Sequence, residues 1–114
     1  MLLLRAFGLF VLSALVCGHY GNPLPGGGGC SADEEVQVEF SGEMCCPRCA
    51  FEKCPRDVPA NVTAKPACVL GSSRTSVPLF CALECKTDAE CGAALCQNVS
   101  GAGDVPARVC VYPN

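Results

Sequence analysis

The sequence predicts a small disulfide-rich domain built from short antiparallel β-strands with little helix, and three observations predict it. The first is cysteine density. The chain has 114 residues and 12 cysteines, and 11 of these fall in the 96 residues from His19 onward, a proportion that marks a secreted disulfide scaffold. The second is a thin apolar complement. Residues 19–114 hold 18 Leu, Val and Phe and neither Ile nor Trp, too little to offset chain entropy unaided, whereas bridges typically worth about 2–4 kcal/mol each supply the difference. The third is periodicity: apolar residues come in short runs separated by Gly, Pro and Ser, without a sustained 3.6-residue repeat.

Residues 1–18 read as a signal peptide. A short n-region carrying Arg5 precedes the apolar block Ala6 to Val16, and Val16 with Gly18 supplies the small residues wanted three and one before a cut. The mature chain then starts at His19 and Cys17 leaves with the leader. The block is shorter than the roughly 20 apolar residues that span a bilayer, and Val109 to Asn114 is too short to direct a lipid anchor. Residues 19–29, with Asn22-Pro23-Leu24-Pro25 and Gly26 to Gly29, form a Pro/Gly-rich segment expected to be flexible and unpacked. Residues 30–114 form a single cysteine-rich domain, since no long linker recurs and no repeat has a fixed period.

Inside that domain Val36, Val38 and Phe40 alternate with Gln37 and Glu39, the period of a half-buried strand. Residues 69–70 and 77–83 flank Gly71 to Ser76 as the arms of a hairpin. Thr87 followed by Glu90 fits a capping box, which predicts one or two helical turns over Ala89 to Cys96. Pro106 ends a loop before a last strand, Ala107 to Tyr112.

Eleven cysteines are available for bridging: Cys30, Cys45, Cys46, Cys49, Cys54, Cys68, Cys81, Cys85, Cys91, Cys96 and Cys110. Cys45 and Cys46 are adjacent, with Cα atoms about 3.8 Å apart, closer than an unstrained bridge allows, so the two are expected to bond different partners. Cys81 to Cys110 is expected to pair within itself and back to the Cys45–Cys68 stretch. Five bridges with one cysteine left over allow about ten thousand patterns. The odd cysteine is assigned to Cys30, beside the flexible segment, which would permit a disulfide-linked dimer.

Charge and motifs narrow the function classes. Residues 19–45 carry Asp33, Glu34, Glu35, Glu39 and Glu43 without Lys or Arg, and the whole chain has a net charge of −3. That argues against a nucleic-acid or anionic-membrane binder. Cys46-Pro47-Arg48-Cys49 lacks the helix N-terminus that activates a redox CxxC pair, and Cys45, Cys46, Cys49 and Cys54 lack a second CxxC at zinc-finger spacing. No metal or cofactor is therefore expected. The single histidine, His19, precedes the domain, so no Cys/His or Ser/His pair can be built inside it, and no catalytic residue is assigned. Asn61-Val62-Thr63 and Asn98-Val99-Ser100 are N-glycosylation sequons, which in a eukaryotic secretory pathway would make both asparagines glycan acceptors of a glycoprotein and place them in surface loops.

Met44-Cys45-Cys46-Pro47-Arg48-Cys49 resembles the closing CCPxC of von Willebrand type C modules, without their upstream cysteines apart from Cys30. Cys85, Asp88, Glu90 and Cys91 are similar to the central stretch of whey acidic protein four-disulfide domains, although the next cysteine comes one residue early and is not doubled. A broader likeness runs from Cys45 to Pro113. It includes Cys54-Pro55, Asp57-Val58-Pro59-Ala60, Ala64-Lys65-Pro66, Phe80-Cys81-Ala82-Leu83 with Cys85, and Val109-Cys110-Val111-Tyr112-Pro113. This stretch resembles small secreted cysteine-rich proteins of unicellular eukaryotes, and the resemblance implies a scaffold without an assigned activity.

The expectation is a secreted, extracellular, disulfide-stabilised binding protein without catalytic activity, its partner an extracellular protein or glycan. The alternative is a protease inhibitor that presents Arg74 from a loop bracketed by Cys68 and Cys81, where bridges would supply the rigidity such loops need.

Overall fold

The computed structural model describes residues 18–71, 74 and 76–114. The signal-peptide assignment for residues 1–18 therefore lies, Gly18 apart, outside the described residues. Six strands are present: β1 (Glu34–Glu39), β2 (Gly42–Pro47), β3 (Lys65–Leu70), β4 (Phe80–Glu84), β5 (Leu95–Ser100) and β6 (Pro106–Pro113). Every pairing is antiparallel. The only helical pieces among the described residues are two 3-10 turns, Asp88–Glu90 and Ala102–Asp104. The chain is a small disulfide-rich β protein.

β6 organises the sheet. It pairs with β5 along six residues, with β4 at Val109 and with β2 at Tyr112 and Pro113, giving the order β1-β2-β6-β4-β3 with β5 joined to β6. Its run Val109-Cys110-Val111-Tyr112 is apolar without alternation because both faces are covered. Val109 and Val111 enter a cluster with Met44, Cys46, Leu70, Phe80, Ala82 and Val99. Cys110 and Tyr112 face a second cluster with Tyr20, Leu83 and the half-cystines Cys81, Cys85, Cys91 and Cys96. Gly42 lets β2 reach β6, since a Cβ there would run into the Tyr112 carbonyl oxygen.

Five bridges hold the strands: Cys30–Cys45, Cys49–Cys68, Cys54–Cys81, Cys85–Cys96 and Cys91–Cys110. Cys30 is thus bridged, contrary to its assignment as the odd cysteine, and among the described residues the unpaired cysteine is Cys46, which is buried. The reason is strand geometry. Adjacent strand residues point to opposite faces, so Cys45 turns towards Cys30 while Cys46 enters the Val109 cluster, where there is no other cysteine. With 0% of its surface exposed, the Cys46 sulfur is covered within its own chain.

Three further expectations are corrected. The first half of residues 19–29 packs, since Tyr20 is buried and Leu24 rests on the same cluster, while residues 25–29 are exposed. The Tyr20 hydroxyl donates to the Pro55 carbonyl at 2.8 Å, and its own carbonyl accepts from the Tyr112 hydroxyl at 3.1 Å. The helix expected over Ala89 to Cys96 is one 3-10 turn, because β5 begins at Leu95 to pair with β6. The Glu90 carboxylate nevertheless accepts the Thr87 and Lys86 amides as a capping glutamate does. The β1 strand forms, but Val36, Val38 and Phe40 are exposed, since register with β2 turns Gln37 and Glu39, not the valines, to the side of Met44.

Burial pushes the Cys46 thiol up to about 12, with the Glu34 and Glu39 charges adding to it, so it is unreactive while the sheet is intact. In the oxidised chain from His19 onward, thiol-specific alkylation followed by intact-mass measurement should find no modification under native conditions. In denaturant without reductant it should find one. Rapid native labelling at Cys46 would contradict the fold.

Candidate functional site

β2 leaves the sheet at Pro47 and the chain makes a tight turn, Ala50-Phe51-Glu52-Lys53. Ala50 and Lys53 exchange both backbone hydrogen bonds, at 3.0 and 2.9 Å. Phe51 and Glu52 both have positive φ, 52° and 67°, the signature of a type I′ turn, which ordinarily demands Asn and Gly. The phenyl ring of Phe51 is 96% exposed. The residues on either side, Cys49 and Cys54, are bridged to Cys68 on β3 and Cys81 on β4, and the Cys49 and Cys81 sulfurs lie 3.8 Å apart. Two stacked bridges thus clamp an aromatic tip whose backbone is strained for the residue it carries.

The same two bridges anchor the β3–β4 hairpin from which Arg74 projects. Arg74 is exposed, and Ser72, Ser73 and Thr75 of the loop lie outside the described residues. The hairpin and the Phe51 turn therefore share one covalent base. Nearby, the Arg48 guanidinium sits 4.9 Å over the Phe80 ring and donates to Glu35 at 2.8 Å, tying β1 to this end of the sheet. Sequence reading brought out Arg74 but missed Phe51. The signal available was the four-residue interval between Cys49 and Cys54, too short for anything but a turn.

The sequon asparagines are both exposed. Asn61 sits in a turn at a φ of 65° that asparagine tolerates, whereas Asn98, expected in a loop, lies within β5 opposite Arg108 of β6, because the pairing of β5 with β6 runs from Leu95 to Ser100. Of the four cysteines weighed as a zinc set, Cys45, Cys49 and Cys54 are each spent in a bridge. Groups of sulfurs within 4.8 Å of one another, such as Cys85, Cys91 and Cys110, are neighbouring disulfides. Among the described residues no helix is long and apolar enough to cross a membrane.

His19 closes the N-terminal strap. Its Nδ1 lies 2.8 Å from Asp57 Oδ1 and its Nε2 lies 2.9 Å from Asp33 Oδ2. Both ring nitrogens can donate only in the imidazolium form. Burial of the ring pulls its pKa down, but the hydrogen bonds to Asp33 and Asp57 and the charge of both carboxylates outweigh it, and the pKa is raised. The bond from His19 in turn lowers the Asp33 carboxyl.

A raised His19 contributes stability that is fully present below its unfolded value and is lost as pH rises through the folded one. A lowered Asp33 contributes stability that is lost as acid takes the pH down through its folded value. The strap is therefore tightest between these limits. Denaturant unfolding measured from about pH 5 to pH 9 should show stability falling on the alkaline side. His19→Asn should remove that part of the slope while keeping any titration of the chain's amino terminus. An unchanged slope in the variant would dissociate His19 from the strap.

Comparison of the chain with protein-family models, with characterised proteins and with solved structures gives no match.

Proposed function

We propose that this chain is a secreted, disulfide-stapled binding protein without catalytic activity, acting in the extracellular space on a protein or glycan partner. The observation that carries the reading is Phe51. A type I′ turn that served stability alone would carry Asn or Gly, and an exposed phenyl ring gains nothing from burial within its own chain. Aromatic side chains held rigid at a protruding tip are the usual anchors of protein recognition, because little conformational freedom is lost when they bind. The five bridges are consistent with an oxidising compartment. Glycans on Asn61 and Asn98 would accompany passage through a eukaryotic secretory pathway.

The test separates anchor from scaffold. Phe51→Asn should raise stability by about 1 kcal/mol, since asparagine tolerates the left-handed backbone. It should also abolish capture of the partner when the oxidised, glycosylated protein is used as bait against extracellular material. Equal capture by wild type and variant would remove Phe51 from the binding surface.

A second reading, protease inhibition through Arg74, is favoured by one observation: both arms of its hairpin are bridged to the Cys49–Cys54 segment. Inhibition of Arg-specific serine proteases would be stoichiometric and would vanish in Arg74→Ala with the bridges intact. We expect no inhibition and a stability change within about 0.5 kcal/mol for this surface substitution. Stoichiometric inhibition lost in the variant would establish the second reading instead.

A further inference from the structure

β1 is the end strand of the sheet: it pairs with β2 and with nothing on its outer side among the described residues. Every second N–H and C=O along it therefore points away from the sheet. Edge strands are normally blunted by Pro, a bulge or charged side chains; Glu34–Glu39 has no Pro and no bulge, and its three charges are all acidic, which repel an acidic strand but not a cationic one. Its exposed face is apolar, with Val36 47%, Val38 71% and Phe40 106% accessible. The pleat sets Val36 and Val38 on one side and Glu35, Gln37 and Glu39 on the other, and Phe40 follows in the two-residue turn to β2.

The charges around this edge are one-sided. Asp33 is engaged by His19, Glu35 by Arg48, and Glu34 accepts the backbone amides of Tyr20 and Ser31. Glu39 and Glu43 have no basic partner among the described residues, and β1 and β2 carry no Lys or Arg.

We propose that the outer edge of β1 is a binding site for an extended, cationic polypeptide segment, which adds to the sheet as a seventh strand. Its apolar side chains would lie over Val36, Val38 and Phe40, and alternate Lys or Arg side chains over Gln37 and Glu39. Backbone hydrogen bonds along the edge would give affinity and the alternation would give selectivity. The charge pattern disfavours a second copy: antiparallel pairing of two β1 strands about Gln37 sets Glu35 against Glu39 twice, and like charges directly opposite are destabilising. The inference rests on the chain being a binding protein, but uses a surface other than the Phe51 tip.

The probe is a blocked heptapeptide of alternating Lys and Val, with a Glu/Val heptapeptide as control, titrated into the oxidised protein and followed by amide-resolved NMR and hydrogen exchange. The Lys/Val peptide should shift and protect amides of residues 35–40, more weakly as salt is raised, and the Glu/Val peptide should leave them unchanged. Val38→Ser, which keeps the charge, should weaken binding about tenfold, the worth of one buried valine side chain. Glu39→Gln should flatten the salt dependence.

Binding indifferent to Val38→Ser would be charge attraction alone and would overturn the proposal, as would shifts confined to residues elsewhere. Concentration-dependent self-association that protects residues 35–40 would assign the edge to a second copy and overturn it as well. None of these outcomes touches partner capture by the Phe51 tip, so failure of this inference and failure of the broader reading are told apart.

Discussion

Two bridges, Cys85–Cys96 and Cys91–Cys110, meet on one face of β6, where three of their sulfurs lie within 4.8 Å of one another. They take the place that leucine or phenylalanine side chains hold in a larger domain. Leu83 and Ala94 are the only aliphatic residues larger than or equal to alanine, besides Ala64, that are fully buried in this cluster; the rest is half-cystine and tyrosine. Because β6 is hydrogen-bonded to β2, β4 and β5, anything that fixes β6 fixes three neighbours. Its other face is closed by a small apolar cluster of Met44, Leu70, Phe80, Ala82 and Val99 around Val109 and Val111. The order of dependence runs from bridges to β6, from β6 to the sheet, and from the sheet to the turns that project from it.

The N-terminal strap depends on the same arrangement. Tyr20 fills the end of the half-cystine cluster, and its hydrogen bonds run to Pro55 in the loop after β2 and to Tyr112 at the end of β6. His19 then bonds Asp57 in that loop and Asp33 at the entrance to β1. Two consecutive residues thereby connect β6 and the entrance to β1 to the loop after β2. The pH sensitivity at His19 is local to this connection, whereas the bridges resist pH altogether.

Much of the fold was legible from local pattern. The β3–β4 hairpin and β6 were readable because turn residues punctuate the chain there and because Ala107 to Tyr112 is bounded by prolines. The capping glutamate was readable for the same local reason. What was not legible was set by partners distant in sequence. Val36, Val38 and Phe40 alternate as a strand should, but alternation says nothing about which face meets the core, and the register Val36 with Cys45 decides it. Tyr20 sits among glycines and prolines that argue for a loose segment, and its site is made by residues from Glu34 to Tyr112 that are distant in sequence. The odd cysteine was misassigned because proximity to a loose segment was weighed, when the alternation of Cys45 and Cys46 across a strand was the stronger constraint. Phe51 went unremarked since a lone exposed aromatic has no pattern.

A fold held by bridges changes what its surface residues mean. In a domain stabilised by apolar burial, an exposed valine or phenylalanine is often the margin of a core that could not be fully covered. Here the hairpin of β1 and β2 is fixed by Cys30–Cys45 and by the Arg48 pair with Glu35, and the Phe51 turn by Cys49 and Cys54. Neither needs its apolar side chains to stay folded. Val36, Val38, Phe40 and Phe51 therefore lower solubility without a compensating gain in stability, and at Phe51 the backbone is strained besides. The acidic residues around β1 counter the first cost by repelling like copies, and they do so without blocking the strand edge to a cationic one. Stability and surface chemistry are thus assigned to different residues in this chain, bridges for the one and projecting apolar groups among carboxylates for the other. That separation is what lets so small a domain keep apolar side chains exposed on its turns and beside its open edge.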